Sequence, residues 1–308
     1  MPGKSRARND IGHNWQMPQK SRLDSYHTGH PRLDLSSTGP TWKVCRCLIA
    51  NNAAQLLLQA RKPGQALTAL PEGALPINRT QAYAAQAKLV SLLSAGAGKA
   101  MGYKVGCTNA SARQMLALDS PFSGRCFEGE ISTSPSSIDA STLHMIGIEP
   151  EIAVRIGKDL APSKDWQTAD VIDHIDAVMP AIEIVESRFS TWPLMGFLSA
   201  IADNGVHRHL VLGEPVQDWS TGAVEQAQVT LTANGETVRE GVAANVDGGP
   251  FGVVAWLANH LNAMGTTLAA GEIVTTGVMT DIYDSAPGEE LVAQYTLPGI
   301  VKLQVTSS

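Results

Sequence analysis

Apolar residues spaced three and four positions apart predict helices in the first third of the chain and again near its end. Pro63-Gly64 ends the first of them, and Asn78 or Thr80 can cap the second. Gly265 closes the last. The predicted helices cover 50–61, 80–96, 109–118, 169–178 and 251–264.

Alternation of apolar and polar residues predicts strands over most of the chain after residue 124. Asn234-Gly235 and Pro298-Gly299 are turn sequences between such runs, so each predicts a hairpin. The other predicted strands cover 102–107, 149–156, 181–186, 206–212 and 272–276. With helices first and strands later, the pattern predicts an α+β fold that contains an antiparallel or mixed sheet.

Charge divides the chain at about residue 48. Residues 1–48 hold eight Lys and Arg against three Asp, lack any helical or strand period, and contain repeated Gly and Pro. This composition predicts a disordered basic extension. Residues 49–308 hold 15 basic and 26 acidic residues. We predict that they form a single domain, with a helical part at 49–100 and a β-rich core at 101–308.

The acidic balance of that domain argues against a nucleic-acid partner, whose phosphates would need Lys and Arg. No apolar run approaches the roughly 20 residues that a membrane-spanning helix requires. The four cysteines are too few and too irregularly spaced for a disulfide framework, and no apolar segment typical of a signal peptide opens the sequence. We therefore expect a cytoplasmic protein with reduced thiols.

Two acidic residues on one strand are the first candidates for chemistry. Glu149 and Glu151 are two positions apart, so both side chains project from the same face. Glu183 lies among apolar neighbours on another predicted strand, while Glu186 points to the opposite face, where Arg188 can pair with it. A divalent cation held by Glu149, Glu151 and Glu183 would offset their repulsion. The alternative is that they are solvated carboxylates on an exposed strand face.

Other polar residues have weaker signals. Lys104 interrupts a short apolar strand between two glycines, although a lysine with its ammonium at the surface is the commoner case. Residues 203–205 are predicted to form a turn. Residues 275–277 lie at the end of a predicted strand, where a loop could meet a ligand. His207 and His209 are two apart and are predicted to share one face of their strand, which is more often strand surface than a metal site.

Seven short motifs occur in an order and spacing that resemble the fumarylacetoacetate hydrolase superfamily, in its branch of 2-keto-4-pentenoate hydratases and 4-oxalocrotonate decarboxylases. The resemblance covers about residues 50–305. It implies a mixed β-roll, barrel-like core preceded by N-terminal helices. The motifs are GYKVGCT, LDSPFSG, IEPEIAV, AIEIVESR, ADNG, GGPFGVVAWLANHL and EIVTTG.

The resemblance implies a metal-dependent lyase. Its cofactor would be Mg²⁺ or Mn²⁺, held by the Glu-x-Glu pair and the later Glu, which are Glu149, Glu151 and Glu183 here. The substrate would be a small 2-oxo or 2-hydroxy-dienoate acid from the meta-cleavage of aromatic rings, with Lys104 beside it. We also expect a homo-oligomer with no membrane partner. Because carboxylates must be ionised to bind a cation, affinity should fall as the pH drops toward about 4. By the same resemblance, the residues expected to line the pocket are Asn204 and Thr276.

One position departs from the family pattern. Hydratases of this branch often have an acid after the proline of the motif that reads Asp119-Ser120-Pro121 here, whereas this chain has Phe122. This weakens the case for water addition and favours decarboxylation. A C–C hydrolase is the alternative, although His144 with Glu128 or Glu130 forms no obvious match to the His–Glu pair of hydrolytic members. The third reading is a metal-binding protein without turnover.

Overall fold

The structure is a computed structural model that describes residues 40–162 and 165–307. The unit that contains the site is Lys43–Ser308. Asn78 caps the second helix by accepting a hydrogen bond from the backbone N–H of Gln81. The helices are α1 (Pro40–Ala60), α2 (Arg79–Ala97), α3 (Ala110–Met115), α4 (Thr168–Val171), α5 (Phe197–Ala202), α6 (Thr221–Glu225) and α7 (Gly249–Ala263).

Two boundaries differ from the sequence prediction. Helix α1 begins at Pro40, so residues 40–48 are helical instead of belonging to the predicted disordered extension. The extension as predicted for residues 1–39 lies outside the described residues. The predicted helix at 169–178 is also wrong over its last four residues, because α4 ends at Val171, a 3₁₀ turn follows at Ile172–His174, and a strand begins at Ile175. Tertiary pairing of that segment within a sheet overrides its local helical spacing.

In the described part of the chain, thirteen strands form two mixed sheets. The larger sheet curls into a half-barrel, and the smaller one contains both predicted hairpins. The strands are β1 (Ala100–Gly106), β2 (Phe122–Phe127), β3 (Ile131–Thr133), β4 (Ser136–Asp139), β5 (Gly147–Ile156), β6 (Ile175–Val185), β7 (His207–Leu212), β8 (Gln228–Ala233), β9 (Glu236–Val242), β10 (Ile273–Thr275), β11 (Tyr283–Asp284), β12 (Glu290–Tyr295) and β13 (Gly299–Thr306).

The larger sheet has the order β2-β1-β10-β5-β6-β7-β3, with β11 pairing β5 in addition. Its central pair, β5 and β6, is antiparallel and long, whereas β1 runs parallel to β10 and β3 parallel to β7. The smaller sheet has the order β4-β13-β12-β8-β9. The predicted α+β class, with a mixed barrel-like core and N-terminal helices, is confirmed.

The main apolar core fixes which way the central strands face. One buried cluster contains residues of both sheets and of α7, and it includes Ile152, Val154 and Ile156 of β5. The intervening residues of β5 therefore point to the other face of the larger sheet, as the alternation predicted. Among the described helices, none has the length and hydropathy that a membrane crossing requires.

Candidate functional site

Three glutamates meet on the face of the larger sheet that points away from the main core. Glu149 of β5 lies directly opposite Glu183 of β6 in the antiparallel register, and Glu151 follows two residues along β5. One carboxylate oxygen from each lies within 4.8 Å of the others. The structure therefore brings together the three side chains that the sequence singled out, and it does so without including Glu186.

The three carboxylates are almost completely removed from water. Glu151 and Glu183 are fully buried and Glu149 is 9% exposed. Burial raises the pKa of Glu149 to about 7, and burial together with the charges of Glu183 and Glu149 raises the pKa of Glu151 well above its usual range. Solvated carboxylates on an exposed strand face are thereby excluded for this site.

The donor set fits a hard divalent cation. All three side chains offer oxygen ligands, as Mg²⁺ and Mn²⁺ prefer. Within the described part of the chain, Oε1 of Glu151 is buried and has no hydrogen-bond partner. An unpartnered carboxylate oxygen inside a protein is costly, because it has lost its water without gaining another donor or a cation. A cation bound among the three residues would supply that missing partner.

Lys104 is part of this cluster and is not a surface lysine. It is 2% exposed, and its Nζ lies 3.2 Å from Oε2 of Glu183. Burial by itself would lower the pKa of Lys104, but the nearby carboxylates of Glu183, Glu149 and Glu151 raise it above the usual range. Glu183 is correspondingly the one carboxylate of the three whose pKa is lowered, although burial opposes this. The amine therefore remains an ammonium beside the three acids.

The loop after β10 supports Glu151. The backbone N–H of Gly277 donates a hydrogen bond of 2.8 Å to Oε2 of Glu151. Gly277 has φ +104°, and a Cβ there would lie 1.9 Å from Oγ1 of Thr108. Both features require glycine. Residue periodicity pointed to the loop 275–277 only as a strand end, so its role as a backbone donor to an acidic side chain was missed.

His207 also belongs to the site, contrary to the sequence prediction that placed it on a shared strand face with His209. In the β6–β7 pairing, Val185 pairs with His207 and Ile184 pairs with His209, so Arg208 is an extra residue in a β-bulge. His207 consequently faces the same way as Glu183, and its Nδ1 lies 2.8 Å from Oε1 of Glu183. His209 faces the other way and contacts Ser132 at 2.9 Å.

Glu186 lies in a different environment. Its carboxylate is 3.5 Å from the guanidinium of Arg188 and 3.4 Å from that of Arg208, and it accepts a hydrogen bond from the backbone of His144. Arg188 also faces Asp203, at 3.7 Å. The predicted pairing of Glu186 with Arg188 is confirmed. These buried charges compensate one another, so Glu186 needs no cation.

The polar groups of Asn204 and Thr276 are hydrogen-bonded to the backbone. The Asn204 amide accepts from the N–H and donates to the carbonyl of Arg125, at 2.7 and 2.8 Å. The Thr276 hydroxyl donates to the carbonyl of Ile152 at 2.7 Å. Asn204 therefore ties the turn before β7 to β2, and Thr276 ties the end of β10 to its neighbour β5. Their expected contact with a substrate stays a prediction.

Phe122 lies beside Lys104. Its ring is 2% exposed, and a Cβ on Gly106 would lie 2.7 Å from Cε2 of Phe122 and 3.4 Å from Nζ of Lys104. The glycine lets the ring and the amine approach the same point of the backbone. Asp119, the nearest acid along the chain, is exposed and pairs with Arg79 at 2.7 Å.

A cavity of about 340 Å³ has Thr108 in its wall, and Thr108 packs against Gly277, the backbone donor to Glu151. Arg113, also in the wall, pairs with Asp247 and donates to the carbonyl of Cys107. Val253 and Trp256 of α7 supply apolar surface. The three glutamates and Lys104 are not among the residues that line this cavity.

The sequence model described as "Fumarylacetoacetate (FAA) hydrolase C-terminal" matches residues 109–306. The chain belongs to the fumarylacetoacetate hydrolase family. It is 29% identical over 256 residues to a 2-keto-4-pentenoate hydratase of Paraburkholderia xenovorans, covering 83% of this chain and 94% of that relative. It is 30% identical over 199 residues to a 4-oxalocrotonate decarboxylase of Pseudomonas putida, covering 64% and 74% of the two chains.

Among solved structures of the family, 4-oxalocrotonate decarboxylase from Pseudomonas putida G7, complexed with magnesium and adipate, matches with a TM-score of 0.76. The identity is 26%, and the match covers 83% of this chain and 97% of that one. Fumarylpyruvate hydrolase from Pseudomonas aeruginosa shares the fold at 16% identity and a TM-score of 0.55. The predicted branch of the fumarylacetoacetate hydrolase family is confirmed, and the named relatives of that branch are lyase-type enzymes.

We expect Glu183→Gln to abolish measurable Mg²⁺ binding, because it removes a charge from the centre of the cluster. Glu186→Gln is the matched control, since it changes the same group three residues away. The control should retain Mg²⁺ binding, although it should be less stable because Arg188 and Arg208 lose a buried partner. Isothermal titration calorimetry on folded protein separates the two, and the reverse pattern would show that the wrong glutamate has been assigned.

Ordinary carboxylates would lose metal affinity as the pH drops toward about 4. The raised pKa values at this site place that loss at a higher pH. A cation must displace any proton held by its ligands, and Glu149 holds one below a pH of about 7. Mg²⁺ affinity should therefore begin to fall as the pH drops through about 7. Calorimetry between pH 8 and pH 5, in steps of about half a unit, measures this. Constant affinity down to a pH of about 5 would contradict it.

Proposed function

We propose that this protein is a divalent-metal-dependent lyase that acts on small 2-hydroxy-dienoate or 2-oxo-enoate acids, of the kind formed in the meta-cleavage of aromatic rings. The observation that supports it most is the buried cluster of Glu149, Glu151 and Glu183 with Lys104, inside a fold shared with a magnesium-containing 4-oxalocrotonate decarboxylase. Mg²⁺ or Mn²⁺ is the proposed cofactor. A cytoplasmic location and a homo-oligomeric state, both expected from the sequence, remain proposals.

The glutamates would hold the cation, and its chemistry would be that of a Lewis acid at the 2-oxygen and 1-carboxylate of the substrate. The chain's own contribution comes from Lys104. Because the surrounding acids keep its Nζ protonated, it offers a fixed positive charge to the oxyanion that develops as the substrate becomes a dienolate. Electrostatic stabilisation is therefore its proposed role in preference to proton removal.

Phe122 favours decarboxylation over hydration. Water addition needs a group that orients and deprotonates the incoming water, and a phenyl ring accepts no proton. In decarboxylation, the bond between the substrate chain and its departing carboxylate breaks, CO₂ leaves, and the electron pair stays in the conjugated chain until a solvent proton is taken up. A buried ring beside Lys104 would keep water from that carboxylate and so favour its loss.

The alternative, a C–C hydrolase, has less support from the structure. The His–Glu pair considered from the sequence does not form, because Nε2 of His144 lies 2.6 Å from the carbonyl oxygen of Ala60. Glu130 instead faces Arg61 at 4.0 Å. The likeness to fumarylpyruvate hydrolase shows the fold alone. The third reading, metal binding without turnover, gives no account of a buried ammonium beside the cluster.

We expect Lys104→Met to lower kcat by about two orders of magnitude or more, the range for positioned electrostatic and acid–base groups. Methionine retains an apolar stem of similar length and loses the charge. Lys99→Met, at an exposed lysine just before β1, is the matched control and should keep wild-type kcat. Steady-state kinetics at saturating Mg²⁺ provide the measurement. Wild-type turnover in Lys104→Met would remove Lys104 from the proposed mechanism.

Product analysis tests the choice of reaction. The protein is incubated with Mg²⁺ and either a 2-hydroxydienoate or a 2-oxo-enedioate, and products are followed by NMR with CO₂ release measured in parallel. We expect CO₂ from the enedioate and little hydration of the dienoate. A 4-hydroxy-2-oxo acid formed efficiently without CO₂ would establish a hydratase. Cleavage into two carbon fragments by water would establish the hydrolase, and no conversion of any substrate would support metal binding alone.

A further inference from the structure

We infer that His207 is a positioning residue for the metal site: through its Nδ1 it fixes the carboxylate of Glu183 in the orientation in which it can serve as the third ligand. This rests on the proposed function, which makes Glu183 a ligand. His207 lies outside the set of metal-ligating side chains, because the carboxylate oxygens that converge within 4.8 Å come from the three glutamates. Its effect on the site must therefore be exerted through Glu183.

The contacts of Glu183 give the first step. Its Oε1 lies 2.8 Å from Nδ1 of His207, and its Oε2 lies 3.2 Å from Nζ of Lys104. The two donors approach different oxygens, so together they determine the rotation of the carboxylate plane. The ammonium of Lys104 can present any of three hydrogens, whereas the imidazole of His207 has a single direction for each nitrogen. His207 therefore restricts the orientation of the carboxylate more closely.

The burial of His207 gives the second step. The side chain is fully buried, and within the described residues its Nε2 has no hydrogen-bond partner. A buried ring nitrogen without a partner costs stability, and an apolar side chain of similar volume would avoid that cost. Burying a histidine here for stability alone is therefore hard to justify. Among the described residues, the one hydrogen bond of its ring is to Glu183, and this bond distinguishes it from an apolar residue.

The backbone of His207 is itself held in place. Its carbonyl accepts a hydrogen bond of 2.9 Å from Nη2 of Arg188, whose guanidinium is fully buried between Glu186 and Asp203. The bulge at Arg208 turns His207 toward Glu183, and without it the strand alternation would place the two histidines on one face. The buried arginine anchors that bulge. The ring therefore approaches Glu183 from a fixed backbone.

The test compares three variants of the full-length protein. His207→Leu removes the donor and keeps the volume, His207→Asn retains an amide donor near the position of Nδ1, and His209→Leu changes the other histidine of the same strand. Mg²⁺ and Mn²⁺ dissociation constants are measured by calorimetry at a single pH, and thermal unfolding is recorded for each variant. Kinetics are measured at limiting and at saturating metal.

We expect His207→Leu to weaken metal binding by about 10–100-fold, the usual cost of losing a group that orients a metal ligand. His207→Asn should recover most of this loss, and His209→Leu should bind like wild type. Turnover in His207→Leu should return toward the wild-type kcat at saturating metal. Unfolding temperatures that are similar for the two leucine variants would show that the weakened binding does not arise from a damaged fold.

Three results would overturn the assignment: unchanged or tighter metal binding in His207→Leu, an equal loss in His209→Leu, or a kcat that stays low at saturating metal. The last of these would mean that His207 acts on the substrate directly. Failure of the proposed function itself has a different signature. Wild-type protein that binds neither Mg²⁺ nor Mn²⁺ would overturn the metal-dependent lyase and the role of His207 together.

Discussion

Mutual repulsion among three buried carboxylates is the constraint on which the rest of the site depends. At separations of 4–5 Å and an effective dielectric constant of about 20, each ionised pair repels by roughly 3–4 kcal/mol. One ammonium, that of Lys104, offsets only part of this. Burial first, and then the charges of the neighbouring carboxylates, raise the pKa values of Glu149 and Glu151, so both groups hold protons more tightly than free carboxylates do. The sheet therefore carries an arrangement of acids whose unfavourable energy a divalent cation would relieve.

Two clusters of buried charge near the β6–β7 connection differ in their balance. In the cluster of the three glutamates and Lys104, acids outnumber bases. Around Glu186 and Asp203, by contrast, buried arginines already provide the balance. This internal pairing neutralises Glu186, and it fixes the bulge that presents His207 to Glu183. An ionic cluster whose charges balance thus positions His207 in the neighbouring cluster, whose charges do not balance.

The main parts of the site could be predicted from the sequence because they follow the two-residue period of a strand. Glu149 and Glu151 share a face for that reason, and the apolar neighbours of Glu183 correctly indicated burial. The position of His207 in the site could not be assigned from the sequence, because a β-bulge breaks the two-residue period of the strand. Nothing in the sequence His-Arg-His indicates that bulge. The N–H of Gly277 was missed for another reason: a glycine at a strand end indicates a special backbone conformation, but not which side chain its N–H will reach in the folded protein.

The glutamates and Phe122 lie in different parts of the larger sheet. The glutamates lie on the long central strands β5 and β6, whose antiparallel pairing holds them in register. Phe122 is the first residue of β2 and follows a loop, where one substitution changes the surroundings of Lys104 without disturbing the cluster. In the proposed lyase, the choice between hydration and decarboxylation would therefore depend on residues such as Phe122, while the cluster that would hold the cation stays the same.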